Sequence, residues 1–180
     1  FIIRLEDTDR ARFVDGAEEQ ILSSIKGLGM DWDFGPDKPG PFGSCIQSER
    51  LMTYQDKIED LLKSGDAYRD WRTSEELEAM RTQAQAEKRA FVYRKSMAHL
   101  DGDITMPNVI RIAIPDDKQF LWEDAVKGPQ SWESKNVDDF VAIKSDGFPT
   151  YHFANVVDDM AMEITHVIRA DEWLASTPKH

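Results

Sequence analysis

Polar and aromatic side chains are concentrated in the last third of the 180-residue chain, from Ser145 to Trp173. Such density outside a regular hydrophobic period is more typical of a binding site than of core packing. Tyr151 and Asn155 are four residues apart, so a helix would place a hydroxyl and an amide on one face, where they could orient a small polar ligand. The alternative is a buried aromatic ring with satisfied polar neighbours.

A cationic residue follows in the same stretch. Arg169 comes directly after residues 165–168, which read as a strand. Its guanidinium group is suited to holding a carboxylate through two parallel hydrogen bonds. The alternative is a surface ion pair with Asp171 or Glu172.

An acidic run, Glu6-Asp7-Thr8-Asp9-Arg10, follows the strand-like residues 1–5, which are apolar except for Arg4. In open α/β sheets, ligands bind beyond the carboxyl ends of the strands. A carboxylate at that position could accept hydrogen bonds from an ammonium group of a ligand. The alternative is a solvated acidic turn that caps a helix.

The neighbouring carboxylates of Asp158 and Asp159 raise the possibility of a metal site. No set of histidines or cysteines surrounds them in the sequence, so we expect no metal held by the protein. One cysteine and four scattered histidines also lack the spacing of a zinc site. The sequence contains no glycine-rich phosphate-binding loop either.

The overall composition limits the function further. The net charge of −12 argues against a nonspecific nucleic-acid-binding protein, although it allows an enzyme with a local basic groove. The single cysteine, Cys45, excludes an internal disulfide and predicts a cytoplasmic location. No apolar run approaches the length of a membrane span, so we expect no association with a membrane.

The hydrophobic periodicity predicts the elements that position these residues. A helix should begin near an Asp15/Glu18 capping box and end at Gly29, and a surface helix should begin with a Thr73/Glu76 capping box. Helices are also predicted at 48–64 and 155–162, and strands at 1–5, 109–114, 140–144 and 165–168. Strand, helix and strand units at both ends indicate an α/β parallel sheet. Residues 90–139 differ in character and suggest a small inserted subdomain with short strands.

Several blocks of the sequence together resemble the catalytic domain of the glutamyl-tRNA synthetases, which are class I aminoacyl-tRNA synthetases. In the order of that family, the blocks are residues 4–12, 16–19, 29–33, 47–50, 65–68 and 145–180. The resemblance implies an α/β fold, namely a partial Rossmann-type class I synthetase catalytic core with an inserted α+β subdomain that binds the acceptor stem. The core would comprise residues 1–67 and 139–180, and the inserted subdomain residues 68–138.

The resemblance also implies residue roles, none of which is a catalytic side chain or a metal ligand. Glutamate would be bound by Glu6, Tyr151, Asn155 and Arg169. Glu6 would meet the ammonium group and Arg169 the side-chain carboxylate, which favours glutamate over glutamine. ATP would lie near Glu172 and Trp173, and the tRNA acceptor end near Thr8 and Arg12.

The family reaction consumes ATP with Mg²⁺ to form glutamyl-adenylate, and then transfers the glutamyl group to the 3′ end of tRNA(Glu). The partners implied are tRNA(Glu), L-glutamate and ATP, and the protein is expected to be a monomer. The HIGH and KMSKS signatures of the family are absent from these 180 residues. We therefore expect an internal fragment that cannot activate glutamate by itself. No structural zinc is expected, because the stretch Tyr68-Arg-Asp-Trp contains no cysteine.

Two other interpretations remain open from the sequence. One is the short paralogue that glutamylates a modified base in tRNA, although that group usually departs from the Glu-Asp-Thr-Asp-Arg loop. The other is an acidic, non-catalytic interaction module, against which the intact Glu6, Tyr151 and Arg169 argue. The sequence does not decide whether tRNA(Gln) is also charged.

Overall fold

The structure is a computed structural model that describes residues 1–9, 12 and 14–180. Arg10, which belongs to the acidic run predicted as a ligand site, lies outside the described residues, as do Ala11 and Phe13. The α-helices are α1 (Ala17–Gly27), α2 (Leu51–Ser64), α3 (Ser74–Ala86) and α4 (Tyr151–Ala161). The strands are β1 (Ala67–Asp70), β2 (Val109–Ile112), β3 (Gln119–Asp124), β4 (Gly128–Glu133) and β5 (Val141–Ile143). Short 3-10 helices cover Gln47–Arg50, Lys95–Met97, Ser134–Asn136 and Asp171–Lys179.

A three-stranded antiparallel sheet in the order β1-β2-β5 connects distant parts of the chain. Ala67 lies opposite Ile112, and Ile110 lies opposite Ile143. Strand β1 crosses the predicted boundary at 67/68, β2 lies in the predicted inserted subdomain and β5 lies in the second predicted part of the core. The boundaries at 67/68 and 138/139 remain a prediction. A separate hairpin, β3-β4, supplies short strands in the middle stretch.

The hydrophobic core lies between this sheet and two helices. Helix α2 contributes Tyr54 and Ile58, and α4 contributes Phe153, Ala154 and Val157. These side chains pack against Ala67, Ile110, Ala142 and Ile143 of the sheet. Because α4 presents one face to this core, its polar residues are held at a defined position beside it.

The ends of the helices test the predicted caps. The Thr73/Glu76 capping box is confirmed at the start of α3, where both reciprocal hydrogen bonds are present. The predicted Asp15/Glu18 box is wrong, because α1 begins after Gly16, which has a φ of 75° and forms no side-chain cap. Helix α4 begins at Tyr151, earlier than predicted, because Thr150 in an extended conformation provides the N-cap position.

Two predicted strands are not formed as such. Residues 1–5 form only two isolated parallel bridges, Ile2 with Phe34 and Leu5 with Ile46. Residues 165–168 have no strand partner in the part of the chain that the structure describes, and Ile168 is 94% exposed. β-Branched and apolar residues favour a strand, but a strand also requires a neighbouring segment to pair with. The predicted parallel sheet is wrong for the described residues, because their paired strands are all antiparallel and parallel pairing is limited to these two bridges. None of the helices among the described residues is both long enough and apolar enough to cross a bilayer.

Candidate functional site

A cavity of about 420 Å³ lies between the N-terminal segment, helix α4 and the extended residues 164–169. Its lining includes Glu6, Tyr151, Asn155 and Arg169. The four residues that the family resemblance assigned to one ligand therefore line a common cavity, although they come from opposite ends of the chain.

Hydrogen bonds from the backbone position two walls of this cavity. The Thr150 backbone N–H donates to the carbonyl of Ala142 over 2.8 Å, which ties the start of α4 to β5. On the opposite side, the Leu5 N–H donates to the carbonyl of Cys45 over 2.8 Å. In this extended segment, alternate side chains point the same way, so Arg4 and Glu6 share a side. Both of them line the cavity.

The aromatic wall is formed by Tyr151. Its ring lies 5.5 Å from that of Trp173, and the guanidinium carbon of Arg169 lies 5.6 Å from the Tyr151 ring centroid. Burial raises the pKa of Tyr151, so the phenol stays protonated at neutral pH and can donate a hydrogen bond.

Arg169 is positioned by a histidine rather than by an acid. Its Nη1 lies 3.1 Å from Nδ1 of His180. The alternative ion pair with Asp171 or Glu172 is not formed, and Asp171 instead pairs with Lys127 at 2.6 Å. Within residues 1–9, 12 and 14–180, no carboxylate lies within ion-pair distance of Arg169. The guanidinium therefore keeps donors that a ligand carboxylate could use.

Arg4 is a cavity residue that the sequence reasoning did not assign to the site. Its Nη2 donates to Glu6 over 3.1 Å and to Asn155 over 3.0 Å, and its Nη1 donates to Asp159 over 2.7 Å. Burial alone would lower the pKa of Arg4, but the hydrogen bonds and charges of Asp159 and Glu6 outweigh it and raise the pKa. A usable signal was present, since Arg4 belongs to the same family block as Glu6 and is two residues from it on an extended segment.

The two neighbouring aspartates differ in their surroundings, although Arg4 approaches both and its Nε lies 3.9 Å from Oδ2 of Asp158. Asp159 accepts from Arg4 at the cavity, whereas Asp158 is buried behind it. Gln47, Arg50 and Tyr54 donate hydrogen bonds to Asp158 over 2.9, 2.7 and 2.7 Å. Among the described residues, no group of three or more histidine, cysteine, aspartate or glutamate side chains could hold a metal ion.

The other predicted site residues are not among the residues that line this cavity. Glu172 is exposed on the 3-10 helix Asp171–Lys179, and Trp173 contacts Tyr151. Thr8 is buried, and its carbonyl accepts a hydrogen bond of 3.0 Å from Lys144. The predicted roles of Glu172 and Trp173 in ATP binding and of Thr8 in tRNA binding remain predictions.

Arg12 lines a second cavity of about 820 Å³ beside α1, which also includes Glu6. Its exposed side chain pairs with Asp9 over 2.6 Å. The predicted tRNA contact of Arg12 remains a prediction as well. Among the described residues, Glu6 lines both cavities.

A comparison with protein families assigns residues 1–180 to one family. The family model described as "tRNA synthetases class I (E and Q), catalytic domain" matches residues 1–180. The fold and the cavity thus define a class I tRNA synthetase catalytic domain, and the chain belongs to this family.

The relatives within the family are more specific. The glutamate–tRNA ligase of Acidothermus cellulolyticus is 48% identical over 188 residues, covering 100% of this chain and 37% of that protein. The glutamate–tRNA ligase of Thermus thermophilus is 48% identical over 181 residues, covering 100% and 39%. The resemblance to glutamyl-tRNA synthetases is confirmed. The chain spans well under half the length of these relatives.

A solved structure agrees with this assignment. The crystal structure of a glutamate tRNA ligase from Elizabethkingia meningosepticum, in complex with its amino acid, superposes with a TM-score of 0.90 at 38% identity. The match covers 98% of this chain and 38% of that one. The predicted fold class, a partial class I synthetase catalytic core, is confirmed.

Proposed function

We propose that the cavity bounded by Glu6 and Arg169 binds L-glutamate, and that the whole protein is a glutamate–tRNA ligase. The observation that carries the proposal is that four complementary side chains line one small cavity. They are the carboxylate of Glu6, the hydroxyl of Tyr151, the amide of Asn155 and the guanidinium of Arg169, which has no carboxylate partner among the described residues. The names of the most similar relatives support the same substrate.

The charges of the cavity complement those of the amino acid. Glu6 accepts hydrogen bonds from the ammonium group, and Arg169 donates to the side-chain carboxylate. Tyr151 and Asn155 supply further hydrogen bonds. An uncharged amide in place of the carboxylate would leave the arginine without a counter-charge, so glutamine is rejected.

The reaction then depends on alignment rather than on a catalytic side chain. ATP, which brings Mg²⁺ with it, and glutamate form glutamyl-adenylate, and the glutamyl group passes to the 3′ end of tRNA(Glu). Orientation of the reacting groups and stabilisation of charge account for such a step. We expect ATP to bind near Glu172 and Trp173, and the tRNA acceptor end to bind near Thr8 and Arg12. No structural zinc takes part, and the protein acts as a cytoplasmic monomer.

The test is tRNA charging by the whole protein. Arg169→Gln should raise the glutamate KM by about 10- to 100-fold, which corresponds to the loss of a charge-assisted hydrogen bond. A matched control is Arg89→Gln, since Arg89 forms a surface pair with Glu87 outside the cavity. An unchanged glutamate KM in Arg169→Gln would contradict the assignment. Removing the terminal adenosine of the tRNA should abolish charging, whereas persistent glutamylation would indicate modification of an internal base.

A further inference from the structure

Arg4 lies between both walls of the candidate cavity and contacts residues of each. Its side chain is only 14% exposed. Arg4 donates hydrogen bonds to Glu6 in the N-terminal segment and to Asn155 and Asp159 of α4. The two residues on opposite sides of the cavity, Glu6 and Asn155, therefore share one guanidinium nitrogen, Nη2.

The donors of Arg4 are all directed at protein atoms. A guanidinium group has five N–H donors and no acceptor. Nε donates to Glu6 over 3.4 Å, and Nη1 reaches Asp159 and, over 3.9 Å, the sulfur of Met162. Nη2 donates to Glu6 and Asn155. With these donors engaged, Arg4 acts on a ligand through its neighbours rather than by direct contact.

For Glu6, the contact fixes one oxygen and leaves the other open. Both hydrogen bonds from Arg4 end on Oε1. Among the residues that the structure describes, no hydrogen bond reaches Oε2. A partly exposed glutamate would otherwise sample several rotamers, and ordering it costs conformational entropy. Arg4 therefore holds Glu6 in one orientation with a carboxylate oxygen available to a cationic ligand group.

For Asn155, the contact fixes the orientation of the amide. The acceptor oxygen Oδ1 receives the hydrogen bond from Arg4, and the flipped amide would place its donor NH₂ against a guanidinium group. Asn155 is buried and lines the cavity, so Nδ2 is the atom that remains for a ligand. A carboxylate ligand has only acceptors, and a donor at this position suits it.

We propose that Arg4 is a positioning residue of the amino-acid site, which holds the Glu6 carboxylate and the Asn155 amide in the orientations that bind a zwitterionic ligand. The inference rests on the proposed function, because the ligand is the glutamate placed in this cavity. It adds a residue whose effect is transmitted through two others.

The first test is Arg4→Lys in the whole protein. A lysine keeps the charge and can pair with one carboxylate, but its single ammonium group cannot reproduce the fork that joins Glu6, Asn155 and Asp159. The glutamate KM should rise about 10- to 100-fold, as expected for lost charge-assisted hydrogen bonds, while the ATP KM stays within about twofold. Arg69→Lys is the matched control, since Arg69 also joins a glutamate and an asparagine, Glu59 and Asn108, outside this cavity. Its glutamate KM should be unchanged.

A second variant keeps the test decisive if Arg4→Lys does not fold. Asn155→Asp retains an oxygen that can accept from Arg4, but it replaces the Nδ2 donor with a negatively charged acceptor. The glutamate KM should rise by at least about tenfold, with the unfolding temperature maintained. An unchanged glutamate KM in this variant would overturn the role of the Asn155 amide.

The outcomes separate this inference from the proposed function. If Arg169→Gln raises the glutamate KM and Arg4→Lys does not, the inference is wrong and the proposed function stands. If neither variant changes the glutamate KM, the proposed function itself fails. If Arg4→Lys raises the KM of ATP as much as that of glutamate, Arg4 has only a general structural role, which overturns the inference.

Discussion

The hydroxyl of Tyr54 donates a 2.7 Å hydrogen bond to Oδ2 of Asp158, a carboxylate that solvent does not reach. Burial, followed by this hydrogen bond, raises the pKa of Tyr54, so the phenol remains a donor throughout the physiological pH range. Asp158 belongs to α4, which carries Tyr151 and Asn155. The pair thus anchors one wall of the candidate site to α2.

Removing the cation beside Asp158 should cost far more stability than removing the hydroxyl. Arg50 pairs with Asp158 at 2.7 Å, and both side chains are buried. Arg50→Met removes the closer of two arginines that pair with the buried Asp158 carboxylate and leaves Arg4, whose Nε lies 3.9 Å from Oδ2, so the free energy of unfolding should fall by about 3–5 kcal/mol. Tyr54→Phe should cost about 1–2 kcal/mol. Urea unfolding measures both changes.

The control for this comparison is an exposed ion pair. Arg81 lies 3.6 Å from Glu78 on the surface of α3, and Arg81→Met should change the free energy of unfolding by less than about 1 kcal/mol. If Arg50→Met were no more destabilising than Arg81→Met, Asp158 would not carry a buried charge.

The capping box of α3 offers a second, local test. The Thr73 hydroxyl accepts a 3.2 Å hydrogen bond from the Glu76 N–H, and the Glu76 carboxylate accepts one of 2.8 Å from the Thr73 N–H. Thr73→Ala should lower the free energy of unfolding by about 1 kcal/mol. Thr82→Ala, at an exposed position inside the same helix, should be neutral or slightly stabilising because alanine has the higher helix propensity. Equal urea midpoints for the two variants would argue against the cap.

Features that depend on short sequence separations could be predicted, as this cap illustrates. The three-residue spacing of Thr73 and Glu76 was enough to predict the capping box. The four-residue spacing of Tyr151 and Asn155 was enough to predict that they share one face of a helix. The start of α1 was misplaced because Gly16, with its positive φ, competes with Asp15 for the N-cap position. Local signals therefore predicted the presence of the helices better than their ends.

Features that depend on distant partners could not be predicted in this way. Arg4 lies 151 positions before Asn155 and 155 positions before Asp159 in the chain, so no local sequence pattern predicts these contacts. Residues 165–168 include three β-branched residues, which favour a strand, but pairing depends on a neighbouring segment. The common location of Glu6 and Arg169 came from the family resemblance, which supplies long-range information that periodicity lacks.

The histidine beside Arg169 should report directly on that guanidinium group. Because arginine can only donate, Nδ1 of His180 accepts from Arg169, and Nε2 of His180 donates to Nδ1 of His152 over 3.1 Å. Burial, followed by the positive charge of Arg169, lowers the pKa of His180 from 6.5 to about 4. Arg169→Gln removes that charge and should raise the pKa of His180, although burial keeps it below the ordinary value.

A titration of the His180 imidazole by NMR checks this shift, with Arg89→Gln as the control that should leave it in place. The sign for stability follows from the lowered pKa. The unfolded chain binds the proton first, so this contribution is present above about pH 6.5 and is lost as the pH falls towards about 4. The loss should be smaller in Arg169→Gln, because its folded and unfolded pKa values lie closer together. An identical His180 titration in Arg169→Gln and in the unmodified protein would show that the two side chains do not interact in solution.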